Sequence, residues 1–139
     1  MTYDPRYLAG VLLFNDGCFF EAHEVWEDVW AESHGDERRL VQGLIQAAVG
    51  LCHFENGNLG GAVKLYTSSR NYLASAGGRV MGLDIDGFLP KMERAFRPLL
   101  GATPAARETR PAPETLPTIE LDPAPDEWPD PDAYVHEDE

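Results

Sequence analysis

The sequence predicts an all-α protein: a compact bundle of about five helices followed by an extended C-terminal arm. Apolar residues recur three and four positions apart through the first 100 residues, and Gly, Asn, Asp and Pro interrupt that period where helices end. Eight of the eleven prolines lie in the final 39 residues, together with acids and few aliphatic side chains. We therefore expect a helical bundle domain over residues 1–100 and a Pro-rich acidic arm over residues 101–139, packed on the bundle or on a neighbouring subunit.

The first two helices are indicated by their ends. Asp4 as N-cap and Pro5 as the first helical residue favour a helix that ends near the turn 15–17. Asp16 in that turn is the expected cap of a second helix, which the pattern extends to about Ser33.

The third and fourth helices are predicted as a hairpin that resembles a tetratricopeptide unit. Asp36 is the expected cap of a helix that reaches about Glu55 and is apolar over a wide arc, which is typical of a central, buried helix. The turn 56–58, which ends in Asn58, breaks the chain and is expected to cap a fourth helix over about 59–75. Because no second copy of this unit follows, we interpret it as one hairpin within the bundle.

The last helix and the arm have weaker signals. The stretch 83–87 is interpreted as a turn, and Pro90 is placed within the first turn of a fifth helix because its ring is tolerated there. Five apolar residues are the expected anchors of the arm on the bundle: Leu116, Ile119, Leu121, Trp128 and Tyr134.

Composition narrows the setting and the partners. The net charge is -13, and no basic stripe is present, which argues against direct binding to nucleic acid or to an anionic membrane. No apolar run approaches the roughly 18 residues of a membrane span, and the start lacks the pattern of an export signal. Cys18 and Cys52 have no metal-site or redox spacing, so we expect two buried thiols in a reducing, cytoplasmic compartment.

The acidic charge also suggests a source. Nine of the eleven bases are Arg and only two are Lys, and an acidic surface poor in Lys suits a protein that stays soluble in concentrated salt. A halophilic source is therefore a hypothesis, and a merely acidic tail is the alternative.

The stretch 14–30 carries the candidate site. On a helix, Phe20, His23, Glu27 and Trp30 share one stripe because they are three and four residues apart. Large aromatic side chains tend to be buried, and we expect them to draw His23 and Glu27 inward. A buried carboxylate needs a donor, and His23, one turn earlier, is the expected one.

The third helix carries a second polar stripe that includes Gln42, Gln46 and His53. If the polar stripes of the second and third helices face each other, the polar groups of each can form hydrogen bonds with those of the other. We therefore expect His23 and Glu27 to contact Gln46 and His53 in one buried network. On this interpretation Glu27→Ala costs about 3 kcal/mol of stability.

The pattern H-x-x-x-E-x-x-W, formed by His23, Glu27 and Trp30, resembles the motif of a prokaryotic family known as domain-of-unknown-function family 309. The flanking residues agree, from Phe14-Asn15 and Gly17 to the stretch 42–46, and the resemblance covers roughly residues 10–75. It implies an all-helical, cytoplasmic, prokaryotic protein, and it implies no activity.

Three functional interpretations stay open. A structural network needs no cofactor. A metal-dependent hydrolase would use a divalent metal held by His23, Glu27 and His53, since the spacing resembles the H-E-x-x-H helix of zinc enzymes. A binding module would use a pocket lined by Trp30, Phe20 and His23 for a small molecule or a partner. For the arm, we expect a homo-oligomer contact as one option.

Overall fold

Five α-helices make up most of the chain from residue 2 to residue 136, the part that the computed structural model describes. In chain order they are α1 (Pro5–Asn15), α2 (Phe19–Ala31), α3 (Gly35–Glu55), α4 (Leu59–Ser75) and α5 (Ile85–Phe96). An antiparallel hairpin of two short strands, β1 (Arg79–Val80) and β2 (Leu83–Asp84), lies between α4 and α5. Short 3-10 turns follow at Arg97–Leu99, Pro113–Thr115 and Pro131–Tyr134. The predicted all-α fold of about five helices is confirmed.

Two of the predicted helix caps form as the sequence indicates. The Asp4 side chain accepts a hydrogen bond of 2.9 Å from the backbone N–H of Arg6, and Pro5 opens α1. The Asn58 side chain likewise accepts a 3.1 Å bond from the N–H of Gly61 at the start of α4. These bonds satisfy N–H groups that a helix leaves unpaired in its first turn.

The starts of α2 and α3 differ from the prediction by a few residues. α2 begins after Cys18 and not directly after Asp16, because Gly17, at φ 81°, still belongs to the turn. α3 begins at Gly35, so Asp36 lies inside the first turn. There its negative charge interacts favourably with the positive end of the helix dipole. Cys18 directly precedes α2 and is exposed, so the prediction that its thiol is buried is wrong. Cys52 is half-buried, and both cysteines are free thiols.

The chain between α4 and α5 differs from the plain turn that the sequence predicts, because the structure has the β hairpin there. Met81 (φ 49°) and Gly82 (φ 78°) connect the strands, and two positive φ angles in succession match the twist of a tight hairpin. α5 then starts at Ile85, so Pro90 lies inside the helix and not in its first turn. Pro90 is exposed, which places its ring at the solvent side of the helix.

α3 and α4 pack side by side in antiparallel order, as the predicted helical hairpin. The Ser69 hydroxyl donates a 2.7 Å hydrogen bond to the carbonyl oxygen of Gly43, so the two backbones approach closely. A Cβ atom on Gly43 would lie 2.7 Å from Cδ2 of Leu73. The absence of a side chain at residue 43 therefore permits this approach.

α1 and α2 meet around a cluster of buried aromatic rings. The Phe14 ring lies 5.1 Å from that of Phe19, 5.7 Å from that of Trp26 and 6.2 Å from that of Phe88, measured between centroids. Trp26 is completely buried, and its indole N–H donates a 3.1 Å bond to the carbonyl oxygen of Tyr7. This cluster fixes which side of α2 faces the core.

The C-terminal arm follows an extended path across the bundle. Its Ile119 is held on both sides by the Asn15 side chain: the Asn15 amide donates to the Ile119 carbonyl oxygen at 2.9 Å, and the Ile119 N–H donates to Asn15 Oδ1 at 2.7 Å. Leu121 then forms a bridge with Leu83 of β2, and the Tyr3 hydroxyl donates to the carbonyl oxygen of Pro123 at 2.6 Å. The extended arm of the predicted fold class is thus observed up to residue 136, while residues 137–139 lie outside the described part.

The arm is anchored by most of the residues expected to do so. Ile119 is buried, and Leu116, Leu121 and Tyr134 pack half-buried against the core. Trp128 differs: it is 43% exposed and lines an open cleft beside the start of α1. The separation of the bundle and the arm into two domains stays a prediction. Within residues 2–136, no helix is both long and apolar enough to cross a membrane.

Candidate functional site

The outward face of α2 holds the residues that the sequence places at the site. The core side of α2 consists of five buried residues: Phe19, Ala22, Val25, Trp26 and Val29. Phe20 is on the other side and is 49% exposed, and the Glu27 side chain is 58% exposed. The prediction that Glu27 and Phe20 are buried is therefore wrong, because Trp26 and not Trp30 is the tryptophan that enters the core.

His23 joins these two exposed residues. Its Nδ1 lies 2.7 Å from the carbonyl oxygen of Phe20, and its Nε2 lies 3.4 Å from Oε1 of Glu27. Because a carbonyl oxygen can only accept, Nδ1 carries the hydrogen, and Nε2 faces the carboxylate. The His23 and Phe20 rings are 5.1 Å apart, so the imidazole, which is 17% exposed, lies between an aromatic ring and a carboxylate.

The predicted network with α3 does not form in the described residues. His53 contacts Asn58 at 3.3 Å, within its own helix end and turn, and no hydrogen bond joins it to His23 or Glu27. Gln46 is half-buried, and its Oε1 is buried with no hydrogen-bond partner. The two polar stripes thus fail to satisfy each other, since the Glu27 carboxylate turns to solvent.

Trp30 lies at the edge of this face and contacts another part of α3. The guanidinium carbon of Arg38 is 3.9 Å from the centroid of its ring, a cation–π contact. A small cleft adjoins Trp30, but its other walls are residues of α3 and α4 and not Phe20 or His23. The predicted single pocket lined by Trp30, Phe20 and His23 is therefore not observed.

The donor set for the metal interpretation is not assembled. Across residues 2–136, no group of three or more His, Cys, Asp or Glu side chains is arranged so that it could hold a metal ion. His23 and Glu27 are neighbours, whereas His53 is engaged with Asn58 at the far end of α3. The structure thus offers two of the three predicted ligands in one place.

A contact that the sequence did not reveal brings the arm to this face. Nε2 of His136 lies 2.8 Å from Oδ2 of Asp28, and its Nδ1 lies 4.0 Å from Oε2 of Glu24. We call Phe20, His23, Glu24, Glu27 and Asp28 the acidic-aromatic face of α2. No pattern in the sequence links His136 to it, because 108 residues separate His136 from Asp28.

A family model described as a domain of unknown function, DUF309, matches residues 7–65. The chain belongs to the DUF309 family. The match includes most of α1 and all of α2 and α3, and hence the whole acidic-aromatic face, whereas His136 of the arm lies outside the match. The family resemblance predicted from His23, Glu27 and Trp30 is confirmed, and the family description assigns no activity.

Two relatives extend this result. The chain is 41% identical over 46 residues to an uncharacterized protein of Aquifex aeolicus (strain VF5), in a match that covers 32% of this chain and 14% of that protein. The chain therefore spans only a small part of the Aquifex relative. It is also similar to the crystal structure of a conserved hypothetical protein from Thermus thermophilus, at 30% identity and a TM-score of 0.58, covering 70% of this chain and 99% of that one.

The exposure of Glu27 in this DUF309 protein changes the expected cost of removing it. We expect Glu27→Ala to change the free energy of unfolding by less than about 0.5 kcal/mol, because an exposed carboxylate beside a histidine contributes little. Urea denaturation followed by circular dichroism measures this change. Phe19→Ala on the same helix is the control and should cost about 3 kcal/mol or more, since Phe19 is buried. A loss near 3 kcal/mol for Glu27→Ala would mean that the carboxylate is buried after all.

The His136 contact predicts a pH dependence. The hydrogen bond with Asp28 raises the pKa of His136 above its ordinary value, and the nearby charges of Glu24 and Glu27 act in the same direction. A raised pKa in the folded state means that the contact contributes its full stability below about pH 6.5 and loses it as the pH rises through the raised pKa. We therefore expect the end of the arm to be held in mildly acidic solution and to loosen as the pH rises.

Amide hydrogen exchange of residues 131–136, compared between about pH 5.5 and about pH 8.5 after correction for intrinsic rates, tests this expectation. The imidazole resonances of His136 give its pKa directly. Asp28→Asn should lower that pKa, and Glu93→Gln, an exposed carboxylate on α5, should leave it unchanged. Equal protection of the arm at both pH values would contradict the role of His136.

Proposed function

We propose that this protein is a binding module, and that the acidic-aromatic face of α2 recognises a basic segment of another protein. The observation that carries the proposal is the position of His136. The imidazole of His136, presented by an extended segment and positively charged when protonated, already lies beside Glu24 and Asp28 on this face. The arm thus makes, within one chain, the kind of contact that a basic partner would make.

The charge of the face favours a basic partner. Glu24, Glu27 and Asp28 occupy one side of two consecutive turns, and within the described residues no Lys or Arg forms an ion pair with any of them. His136 is a weak competitor because it is charged only when protonated. A Lys or Arg side chain keeps its charge at neutral pH and can replace it.

Phe20 supports an interaction and not merely a solvated helix face. About half of this large apolar side chain is in contact with solvent, next to the acidic residues. Aromatic side chains, Phe among them, are enriched at protein interfaces relative to the rest of the surface. The expected partner therefore combines basic residues with an apolar side chain that covers the Phe20 ring.

Fluorescence anisotropy with a labelled amphipathic helical peptide made of lysine and leucine tests the proposal. We expect saturable binding that Glu24→Gln/Asp28→Asn weakens about tenfold, and that Phe20→Ser weakens by a similar factor. The double substitution Asp86→Asn/Glu93→Gln removes two exposed carboxylates of α5 and changes the net charge equally.

The two double variants separate specific recognition from general attraction. If both lose affinity to the same extent, the peptide binds the net charge of the protein and not the face of α2. If Phe20→Ser does not change the affinity, the proposal that an apolar side chain of the partner packs on the Phe20 ring is wrong. Circular dichroism of each variant confirms that it is folded before its affinity is interpreted.

A cytoplasmic, prokaryotic setting is part of the proposal. The two thiols, Cys18 and Cys52, are both unpaired, as is usual in a reducing compartment. A homo-oligomer formed through the C-terminal arm stays a prediction.

The hypothesis of a halophilic source predicts a strong response to salt. With 24 acids and 11 bases, self-repulsion should destabilise the fold at low ionic strength, and KCl should screen it. We expect the midpoint of thermal unfolding to rise by about 10 °C or more between about 0.1 M and about 2 M KCl. A midpoint that is indifferent to KCl would remove the hypothesis. Salt also screens the attraction between the acidic face and a basic peptide. The peptide-binding assay is therefore carried out at both KCl concentrations.

A further inference from the structure

A second candidate site lies in a small cleft beside Trp30, and no residue of the acidic-aromatic face lines this cleft. Its volume is about 140 Å³, and it forms where the end of α2, the first half of α3 and the second half of α4 meet. Its walls are the side chains of Trp30, Arg38, Arg39, Gln42 and Tyr72. The cleft thus concentrates hydrogen-bond donors in a protein with a net charge of -13.

Arg38 is the central donor of this cleft. Its guanidinium lies over the Trp30 ring, with the guanidinium carbon 3.9 Å from the ring centroid. Its hydrogen bond to the carbonyl oxygen of Ser33 is a long one, 3.4 Å from Nη1. Within residues 2–136 no carboxylate pairs with Arg38, in contrast to Arg39, which pairs with Asp36. Stacking on Trp30 therefore holds in place a positive charge that has no counterion from the described chain.

Two further polar side chains of the cleft, those of Tyr72 and Gln42, are free to bind a ligand. In the described part of the chain, neither the Tyr72 hydroxyl nor the Gln42 amide has a hydrogen-bond partner, and Tyr72 is partly exposed. Both groups can donate, and so can each N–H of the guanidinium. Three donors, one of them charged and oriented by an aromatic ring, are the arrangement that binds an oxygen anion.

We infer that this cleft binds a small oxyanion, a carboxylate or a phosphate group, with Arg38 as the main ligand and Tyr72 and Gln42 as supporting donors. The volume sets the size of the ligand: sites for drug-sized molecules measure about 300–1,000 Å³. The cleft therefore holds the anionic end of a molecule, and any larger remainder would extend over Tyr72 into solvent. This inference does not rest on the proposed function, because the acidic-aromatic face is a different surface of opposite charge.

Nuclear magnetic resonance of the indole N–H groups tests the inference on the intact protein. The chain has three Trp residues: Trp30 lines the cleft, Trp26 is fully buried, and Trp128 lies in the arm. Sodium phosphate and sodium succinate are titrated separately, with sodium chloride added to keep the ionic strength constant. We expect the Trp30 signal to shift and saturate with a dissociation constant on the order of 1 mM, while the Trp26 signal stays in place.

The two titrations identify the source of the anion. Saturation with phosphate alone assigns a phosphate ligand, saturation with succinate alone assigns a carboxylate, and saturation with both assigns a general oxyanion site. The absence of a saturable shift of the Trp30 signal in both titrations would overturn the inference.

Two variants and one matched control locate the binding. Arg38→Gln should weaken binding at least about tenfold, because it removes the charged donors. Tyr72→Phe keeps the ring and removes one neutral donor, so it should weaken binding a few-fold. Arg94→Gln removes an exposed Arg of α5 and changes the net charge as Arg38→Gln does. Equal weakening by Arg38→Gln and Arg94→Gln would show a charge effect without a site, and Tyr72→Phe keeps the test valid if Arg38→Gln is unstable.

Discussion

Gly10→Ala should reduce the free energy of unfolding by about 3 kcal/mol or more, although alanine is the better helix former. A Cβ atom on residue 10 would overlap Nε1 and Cδ1 of the Trp26 ring. Trp26 cannot turn aside, because it is completely buried and its ring contacts Phe14. Moving it would also break the hydrogen bond from its indole N–H to the Tyr7 carbonyl oxygen.

Gly60→Ala is the matched control for this prediction. Gly60 lies in α4 with no atom within 4 Å of the position that its Cβ would take. We expect Gly60→Ala to leave stability unchanged or to raise it by up to about 1 kcal/mol, through the helix propensity of alanine alone. Urea denaturation monitored by circular dichroism gives both values. If Gly10→Ala were as stable as the native protein, Trp26 would not be packed against α1 as described.

The contact between Gly10 and Trp26 also explains why the sequence predicts the wrong side of α2 as buried. The pattern of α2 places its two tryptophans on neighbouring stripes, and the prediction that Glu27 is buried assumes that the stripe of Trp30 faces the core. What decides between them is a glycine on another helix that leaves room for Trp26. That information is absent from the periodicity of α2 itself. Trp26 is completely buried, whereas the side chain of Glu27, about 100° further round the helix, is 58% exposed.

The parts that the sequence predicts well have local causes. The starts of α1 and α4 follow from Asp4 and Asn58, whose side chains bond the next turn of their own helices. The β hairpin is missed because each strand has two residues, too few to show a period, and because Met81 adopts a positive φ that its residue type does not indicate. Local signals therefore fix the helices, whereas the orientation of α2 depends on contacts between helices.

The position of the arm, too, is predicted only in part, because local signals indicate its packing but not its partners. Its apolar residues indicate that it packs on the bundle, and Ile119 is buried as expected. The sequence marks the residue that receives it, Asn15, only as part of a turn. Neither this clamp nor the contact of His136 with Asp28 can be inferred, because each joins positions more than 100 residues apart.

Ile119→Ala is expected to release the arm, with a loss of about 2–4 kcal/mol in the free energy that holds it closed. Ile119 is a buried aliphatic side chain of the arm, two residues after the buried Pro117, and its backbone is hydrogen-bonded to the Asn15 side chain. Removing most of the side chain takes away the transfer energy and leaves a cavity beneath the arm. The clamp alone is two hydrogen bonds near the surface, which contribute about 1 kcal/mol each.

The loss should be seen first in the arm and only partly in the bundle. If the arm opens as a unit, the stability of the five helices limits how much of the loss reaches global unfolding. Amide exchange of residues 116–122 should therefore accelerate by about thirtyfold or more, while the amides of α3 exchange nearly as in the native protein. Trp128→Ala is the matched control: it removes a larger apolar side chain from the same arm, but from a position that is 43% exposed. Equal acceleration in both variants would mean that the arm is held by its total apolar surface. Acceleration in Ile119→Ala alone would mean that the arm is held mainly at the buried side chain of Ile119.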